Sequence, residues 1–398
     1  MLKVSSQFDA GNIEVIDNSS LQDIQLQIRK DHNSDFYQWF YFRVQGGAGE
    51  TLRLRLLNAA EAAYPDGWDN YQAVASYDRQ EWFRVPTRYN NGELIIEHTP
   101  EQGSIYYAYF APYSFEQHLD MVAAAQQSEL CDVMDIGTTL DGRDINLLRI
   151  SSDESDVSKR LNIWVTARQH PGETMAEWFV EGMLERLLDE EDALAGDLLK
   201  QCTFWVVPNM NPDGSVRGHL RTNAVGVNLN REWQTPTLEK SPEVFYVRDQ
   251  MMTHGVDLFL DIHGDEALPC NFIAGQAGAP DVSAKTLAEE EQFKHDLRRV
   301  NPDFQLERGY EPGKFGPETL TIASFWVGDH FHCPAMTLEM PFKDHDERPD
   351  PVYLCSTPLK TGWPGVNAEL HSSFFRLDSS ELWVYGALRL WRSGNTGL

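Results

Sequence analysis

The stretch Leu161-Asn162-Ile163-Trp164-Val165-Thr166-Ala167-Arg168-Gln169-His170-Pro171-Gly172-Glu173-Thr174 sets the architecture of this chain. Its first half is an apolar run of strand length carried by Leu161, Ile163, Trp164 and Val165, and a helix-like segment opens after it. At the edge between the two stand a histidine and a glutamate, His170 and Glu173. The Pro-Gly between them turns the backbone sharply enough to aim an imidazole and a carboxylate at one point, and both groups are good partners for zinc. Alone, the pattern also fits a loop histidine beside a first-turn glutamate that faces a helix dipole.

A third candidate ligand changes the balance. His263 closes the run Asp257-Leu258-Phe259-Leu260-Asp261-Ile262-His263-Gly264-Asp265, which reads as a buried parallel strand ending at a glycine. Catalytic zinc sites use three protein ligands and keep one position for water, and the ends of parallel strands are where such sites form. Two histidines and a glutamate fit that requirement.

Outward from this core, strands alternate with helices. The strand before His170 leads to an amphipathic helix from about Thr174 to Asp189. The strand Thr203 to Val207 and a helix at Pro242 to Thr253 precede the strand that carries His263. This alternation predicts an α/β fold, with a mixed central sheet flanked by helices. Asp141-Gly142 marks a hairpin, a charged amphipathic helix is expected near Ala284 to Val300, and a packing helix is expected at Leu382 to Trp391. The first 115 or so residues are different. Aromatic and β-branched alternation in Phe36–Val44, Thr51–Leu57 and Glu93–Glu97, separated by Gln45-Gly46-Gly47 and Asn90-Asn91-Gly92, predicts an N-terminal antiparallel β-sandwich. The division expected is residues 1–117 for the sandwich and 118–398 for the second domain.

At 398 residues the chain is long enough for two domains, and its hydrophobic fraction of 41% is that of a globular protein. No apolar run approaches the roughly 18 residues of a membrane span, and Met1 to Gln7 lacks a signal-peptide core, so a cytoplasmic protein is expected. The five cysteines are scattered without a C-x-x-C pair and are expected as reduced core thiols. A net charge of −28 without any basic run argues against nucleic acid and anionic membrane as partners. His330 and His332 alternate on a possible strand and are expected as pocket or core histidines.

Between the two ligand segments lie Asn209-Met210-Asn211-Pro212-Asp213-Gly214, then Gly218-His219-Leu220-Arg221, then Asn228-Leu229-Asn230-Arg231-Glu232-Trp233. With these in order, the chain closely resembles the zinc metallocarboxypeptidases. The aromatic N-terminal region and Tyr109-Phe110-Ala111-Pro112-Tyr113-Ser114 resemble the cytosolic carboxypeptidase branch. The resemblance implies one zinc per chain on His170, Glu173 and His263. It gives Arg221 to the scissile carbonyl and oxyanion, and Asn230 and Arg231 to the free C-terminal carboxylate of a peptide or protein substrate.

The chemistry agrees with that assignment. Zinc lowers the pKa of water to about 7, a guanidinium stabilises a developing oxyanion, and a second one grips a carboxylate bidentately. Thr337-Leu338-Glu339-Met340-Pro341 places a glutamate in an apolar run, where desolvation raises its pKa toward that of a general base. The family's base sits in a similar T-x-E context, so Glu339 is expected to be the base.

Three positions depart from the family. Asn228 stands where an aspartate usually orients a zinc-binding histidine, which predicts a weaker hold on zinc unless Asp261 or Asp265 substitutes. Tyr310 is the nearest match to the family's mobile tyrosine. No arginine in Thr321 to Pro334 matches the basic pocket of relatives that remove glutamate, so that specificity is not carried over. Two other readings stand beside the exopeptidase: a zinc amidohydrolase of small acyl amino acids, and a catalytically weak peptide-binding relative.

Overall fold

The computed structural model describes residues 2–152, 160–279, 281–301, 303–311, 313 and 317–346. The helix expected at Leu382 to Trp391 and Cys355 lie outside the described residues; the other four cysteines are buried.

Ten strands build the N-terminal region: β1 (Lys3–Ser5), β2 (Glu14–Ser20), β3 (Asp23–Gln27), β4 (Tyr41–Gln45), β5 (Leu52–Leu56), β6 (Val74–Ser76), β7 (Phe83–Arg84), β8 (Thr87–Asn90), β9 (Glu93–His98) and β10 (Ser104–Ala108). They form two five-stranded sheets, β1-β4-β10-β6-β7 and β2-β3-β5-β9-β8. Pairing is antiparallel throughout except between β3 and β5, which run parallel. Period-two patterning explains the buried faces: Leu52, Leu54 and Leu56 point into the core, while Arg55 between them pairs with Asp23 and Glu93. Asn91 and Gly92 both take positive φ, 51° and 85°, as the tight β8–β9 hairpin requires. The aromatic run from Phe36 is strand only from Tyr41 onward. Ahead of it the chain binds elsewhere, with the Gln38 amide on the Tyr64 backbone and the Trp39 indole on the Ala10 carbonyl.

The rest is an α/β unit. In chain order it contains α1 (Phe115–Ala125), β11 (Cys131–Thr138), β12 (Asp144–Ile150), β13 (Leu161–Ala167), α2 (Met175–Leu187), α3 (Ala193–Leu199), β14 (Cys202–Val207), α4 (Pro212–Arg217) and α5 (Pro242–His254). It continues with β15 (Leu258–Asp265), β16 (Phe272–Ala274), α6 (Ala284–Val300), α7 (Ala323–Phe331) and β17 (Ala335–Pro341). A Ser114–Gln117 capping box starts α1. The sheet order is β11-β12-β14-β13-β15-β17-β16; β14, β13, β15 and β17 are mutually parallel, and the remaining pairs are antiparallel. Every residue of β15 is buried, as expected of a parallel strand covered on both faces.

The topology fixes where the site forms. The chain leaves β13 for β14 on one side and then crosses to β15 on the other, so the winding reverses between β13 and β15, where a crevice opens at the strands' carboxyl ends. His330 and His332 correct both the strand expectation and the pocket-or-core one: they sit at the end of α7, His330 exposed and stacked on Trp326, and His332 exposed as the left-handed cap. From this helix Trp326 and Val327 pack into the apolar cluster with Phe259 and Ala335 of the sheet.

Candidate active site

The turn after β13 is built from buried polar groups. Arg168 adopts φ 58°, a left-handed conformation that costs a non-glycine residue about 1–2 kcal/mol. Its guanidinium offsets that cost by holding the turn from inside: Nη1 donates to Glu177 at 2.5 Å and to the Tyr113 carbonyl at 2.9 Å, and Nε donates to the Pro171 carbonyl at 3.0 Å. Glu177 is shared with His118 and Asn209. The N-P-D-G loop supports the same turn. Asn211 donates to the Gln169 carbonyl at 3.0 Å, and Gly214 lies so close that an added Cβ would stand 2.4 Å from Pro171 Cγ.

This scaffold brings His170 and Glu173 together with His263 from β15. The Glu173 carboxylate lies between the two imidazoles, with Oε1 2.7 Å from His170 Nδ1 and Oε2 2.7 Å from His263 Nδ1. One ligand atom from each residue falls within 4.8 Å of the others, and all three side chains are buried. The donor set fits a divalent cation. Asn228 Oδ1 already accepts the Asn230 amide, so His170 Nε2, 3.1 Å away, must donate to it. Burial and the charge of Arg221 hold the His170 pKa down to about 3, which keeps the ring neutral with a lone pair on Nδ1. A lone pair facing a carboxylate oxygen at 2.7 Å is a place for a cation.

The outer partners answer the question posed by Asn228. It keeps the orienting bond to His170, but as a neutral group. Asp261 serves the other histidine: its Oδ2 lies 2.9 Å from His263 Nε2, and it is fixed by Thr166 and Gln169. Asp265 does neither; it binds the amides of Ala267 and Leu268 and the Tyr310 hydroxyl.

Every other site residue expected from sequence lines the same cavity of about 620 Å³. Glu339 stands directly opposite His263 in the β15–β17 register. Its Oε1 is 3.3 Å from the Tyr310 hydroxyl, and its Oε2 is buried without a hydrogen-bond partner. Burial pushes the Glu339 carboxyl well above the usual carboxylate range; His263 opposes the shift, and Glu173 and Asp265 add to it. Arg221 Nη1 reaches to 3.4 Å from His170 Nδ1. Arg231 donates to the Asn230 carbonyl at 2.6 Å. Asn230 is partly committed, because its Oδ1 accepts the Ala323 amide at 2.8 Å, while its Nδ2 has only a 3.4 Å contact with His263 Nε2. Sequence reasoning missed the wall formed by Tyr64, Asp66 and Glu266. Of these, only Glu266, three residues beyond His263, carried a signal in its spacing.

Comparison with known proteins finds two family matches along the chain. Residues 4–110 match the family described as the cytosolic carboxypeptidase N-terminal domain, and residues 115–345 match zinc carboxypeptidase. The chain is similar to a metallo-carboxypeptidase from Burkholderia cenocepacia, with 43% identity and a TM-score of 0.91 over 99% of this chain and 100% of that one. It is also similar to a metallo-carboxypeptidase from Pseudomonas aeruginosa in complex with (2-guanidinoethylmercapto)succinic acid, with 41% identity and a TM-score of 0.87 over 99% of each. Cytosolic carboxypeptidase 6 of Caenorhabditis elegans is 25% identical over 86% of this chain and 79% of its own. No helix among the described residues is long and apolar enough to cross a membrane. On these matches, the chain belongs to the zinc carboxypeptidase family, in the form that carries a cytosolic carboxypeptidase N-terminal domain.

Proposed function

We propose that this chain is a zinc-dependent exopeptidase that hydrolyses the C-terminal peptide bond of peptides or proteins, with Glu339 as general base. The observation that carries the reading is a single cavity holding His170, Glu173 and His263 together with Arg221, Arg231 and Glu339. His170 Nδ1, Glu173 and His263 Nδ1 would hold the ion, which when bound supplies Lewis acidity to water and to the substrate carbonyl.

The chain's own residues do the rest. Glu339 Oε2, buried and unpartnered, takes the proton from the attacking water and passes it to the departing amine. Arg221 donates to the oxygen on which negative charge develops. Arg231, with the weakly engaged Nδ2 of Asn230, receives the terminal carboxylate. Burial, and after it the charge of Arg221, depress the Arg231 pKa, so an anion entering beside them relieves both costs. The Tyr310 hydroxyl bridges Asp265 and Glu339 and holds the base in place. The succinic acid ligand of the Pseudomonas aeruginosa relative presents the kind of carboxylate this clamp would take. In this reading residues 1–117 form a sandwich domain, residues 118–398 form the catalytic domain, and the enzyme works in the cytoplasm.

An N-blocked peptide and its C-terminal amide, incubated with the zinc-loaded chain and followed by mass spectrometry, test the proposal. The free acid should lose its last residue, and the amide should react at least about 10-fold more slowly, because a charge-assisted bond to carboxylate contributes about 1.5–3 kcal/mol. Equal rates, or internal cleavage, would contradict it. Turnover confined to N-acyl amino acids would establish the amidohydrolase instead, and binding without turnover would establish a peptide-binding relative.

A further inference from the structure

Arg221 is held in an unusual way. Its guanidinium forms no ion pair among the described residues, and its Nε is buried without a hydrogen-bond partner. Two aromatic groups packed beside it come from the N-terminal region. The Phe36 and Tyr64 rings lie 5.4 Å and 5.7 Å from its Cζ. The backbone beneath it is held by one carboxylate. Asp31, buried, accepts the Leu220 amide on Oδ1 at 2.7 Å, and accepts the Arg221 and Thr222 amides on Oδ2 at 2.8 Å and 2.9 Å. The Thr222 hydroxyl adds a fourth donor to the same carboxylate at 3.1 Å.

Neighbouring contacts fasten the same two segments. The His32 amide donates to His219 Nε2 at 3.0 Å, the Asn12 side chain donates to the Gly218 carbonyl at 2.8 Å, and the Ala10 amide donates to the Val216 carbonyl at 3.0 Å. Gly218, at φ 70°, closes the approach; an added Cβ would stand 2.6 Å from the Ala10 carbonyl oxygen.

We propose that Asp31 is a positioning residue for catalysis: its carboxylate gathers three consecutive amides and fixes the loop that aims Arg221, so the N-terminal sheets are a working part of the active site. The inference rests on the reading of Arg221 as the oxyanion donor. A carboxylate that takes several backbone N–H groups in a buried setting makes strong, charge-assisted bonds, and asparagine cannot replace it because its amide end would face a donor. With no ion pair among the described residues, the guanidinium relies on that loop, together with the Phe36 and Tyr64 faces, for its position. Displacement of a catalytic group by about 1 Å costs about 10²-fold in rate.

The test is a double-mutant cycle on the full, zinc-loaded chain, with kcat, KM and zinc content measured for Asp31→Asn, Arg221→Ala and the pair. Asp31→Asn is expected to lower kcat by about 10²-fold, with KM and zinc retained. In the Arg221→Ala background the same change should cost less than about threefold, since a guanidinium that is gone cannot be misplaced. A merely structural aspartate would give the same loss in both backgrounds, and that result overturns the proposal. So does a kcat for Asp31→Asn within threefold of the parent. If Arg221→Ala alone leaves kcat intact, the oxyanion reading fails first, whereas additive losses sink the Asp31 proposal and leave that reading standing. Should Asp31→Asn not fold, Thr222→Val removes one donor to the same carboxylate. It is expected to lower kcat severalfold in the parent and not in the Arg221→Ala background; equal effects in both overturn the proposal.

Discussion

Glu339→Gln is expected to lower kcat by about 10²–10⁴-fold, while zinc content and thermal stability stay close to those of the parent. The substitution keeps shape and removes only the capacity to carry a proton. Glu339 sits on β17 directly across from His263, so its backbone places the side chain beside the ligand cluster without a flexible loop. One oxygen is fixed by Tyr310, and the other is buried and unspent. Desolvation raises the proton affinity of the carboxyl, which strengthens it as a base. Steady-state hydrolysis of a C-terminally free peptide, with zinc measured on the same preparation, checks the expectation. A rate within threefold of the parent would remove Glu339 from the mechanism.

Arg221→Ala should lower kcat by about 10²–10³-fold and leave KM nearly unchanged. Its guanidinium lies 3.4 Å from His170 Nδ1, next to the ion's ligands, where oxyanion charge would develop. An interaction made chiefly in the transition state lowers kcat and kcat/KM together. The opposite pattern, a large rise in KM at constant kcat, would mean that Arg221 binds ground-state carboxylate and would move the oxyanion role elsewhere.

The fold was legible because burial and period agree in the sequence. Leu258 to Leu260 is apolar on both faces and opens the fully buried β15, while Leu52-Arg53-Leu54-Arg55-Leu56 alternates and became β5, the central strand of its sheet, with one face in the N-terminal core. The aromatic stretch from Phe36 misled in part, since aromatic density signals burial and not strand pairing; only Tyr41 onward joins a ladder. His330 and His332 misled for a related reason: two residues two apart fit a strand, but α7 runs through to Phe331.

The residues of the candidate site were legible where chemistry and chain punctuation coincide, as in His170-Pro171-Gly172-Glu173 at a strand end. Partnerships across the chain were not. Nothing in the polar run Lys30-Asp31-His32-Asn33-Ser34-Asp35 says that Asp31 binds amides some 190 positions away, and the Arg168–Glu177–His118 network joins three separate segments. Asn228 shows the same limit. Its neutrality is visible in the sequence, and Asp261 and Asp265 are both candidates to supply the missing charge; that Asp261 does so for His263, two residues along β15, and is held there by Thr166 of β13, only the structure reveals.

Zinc stoichiometry tests the account most directly. The full chain, stripped of metal and then equilibrated with zinc, should bind one ion per molecule, and the His170→Ala/His263→Ala variant, still folded, should bind none at the same concentration. Failure of the parent to take up zinc, or full occupancy in that variant, would contradict the account.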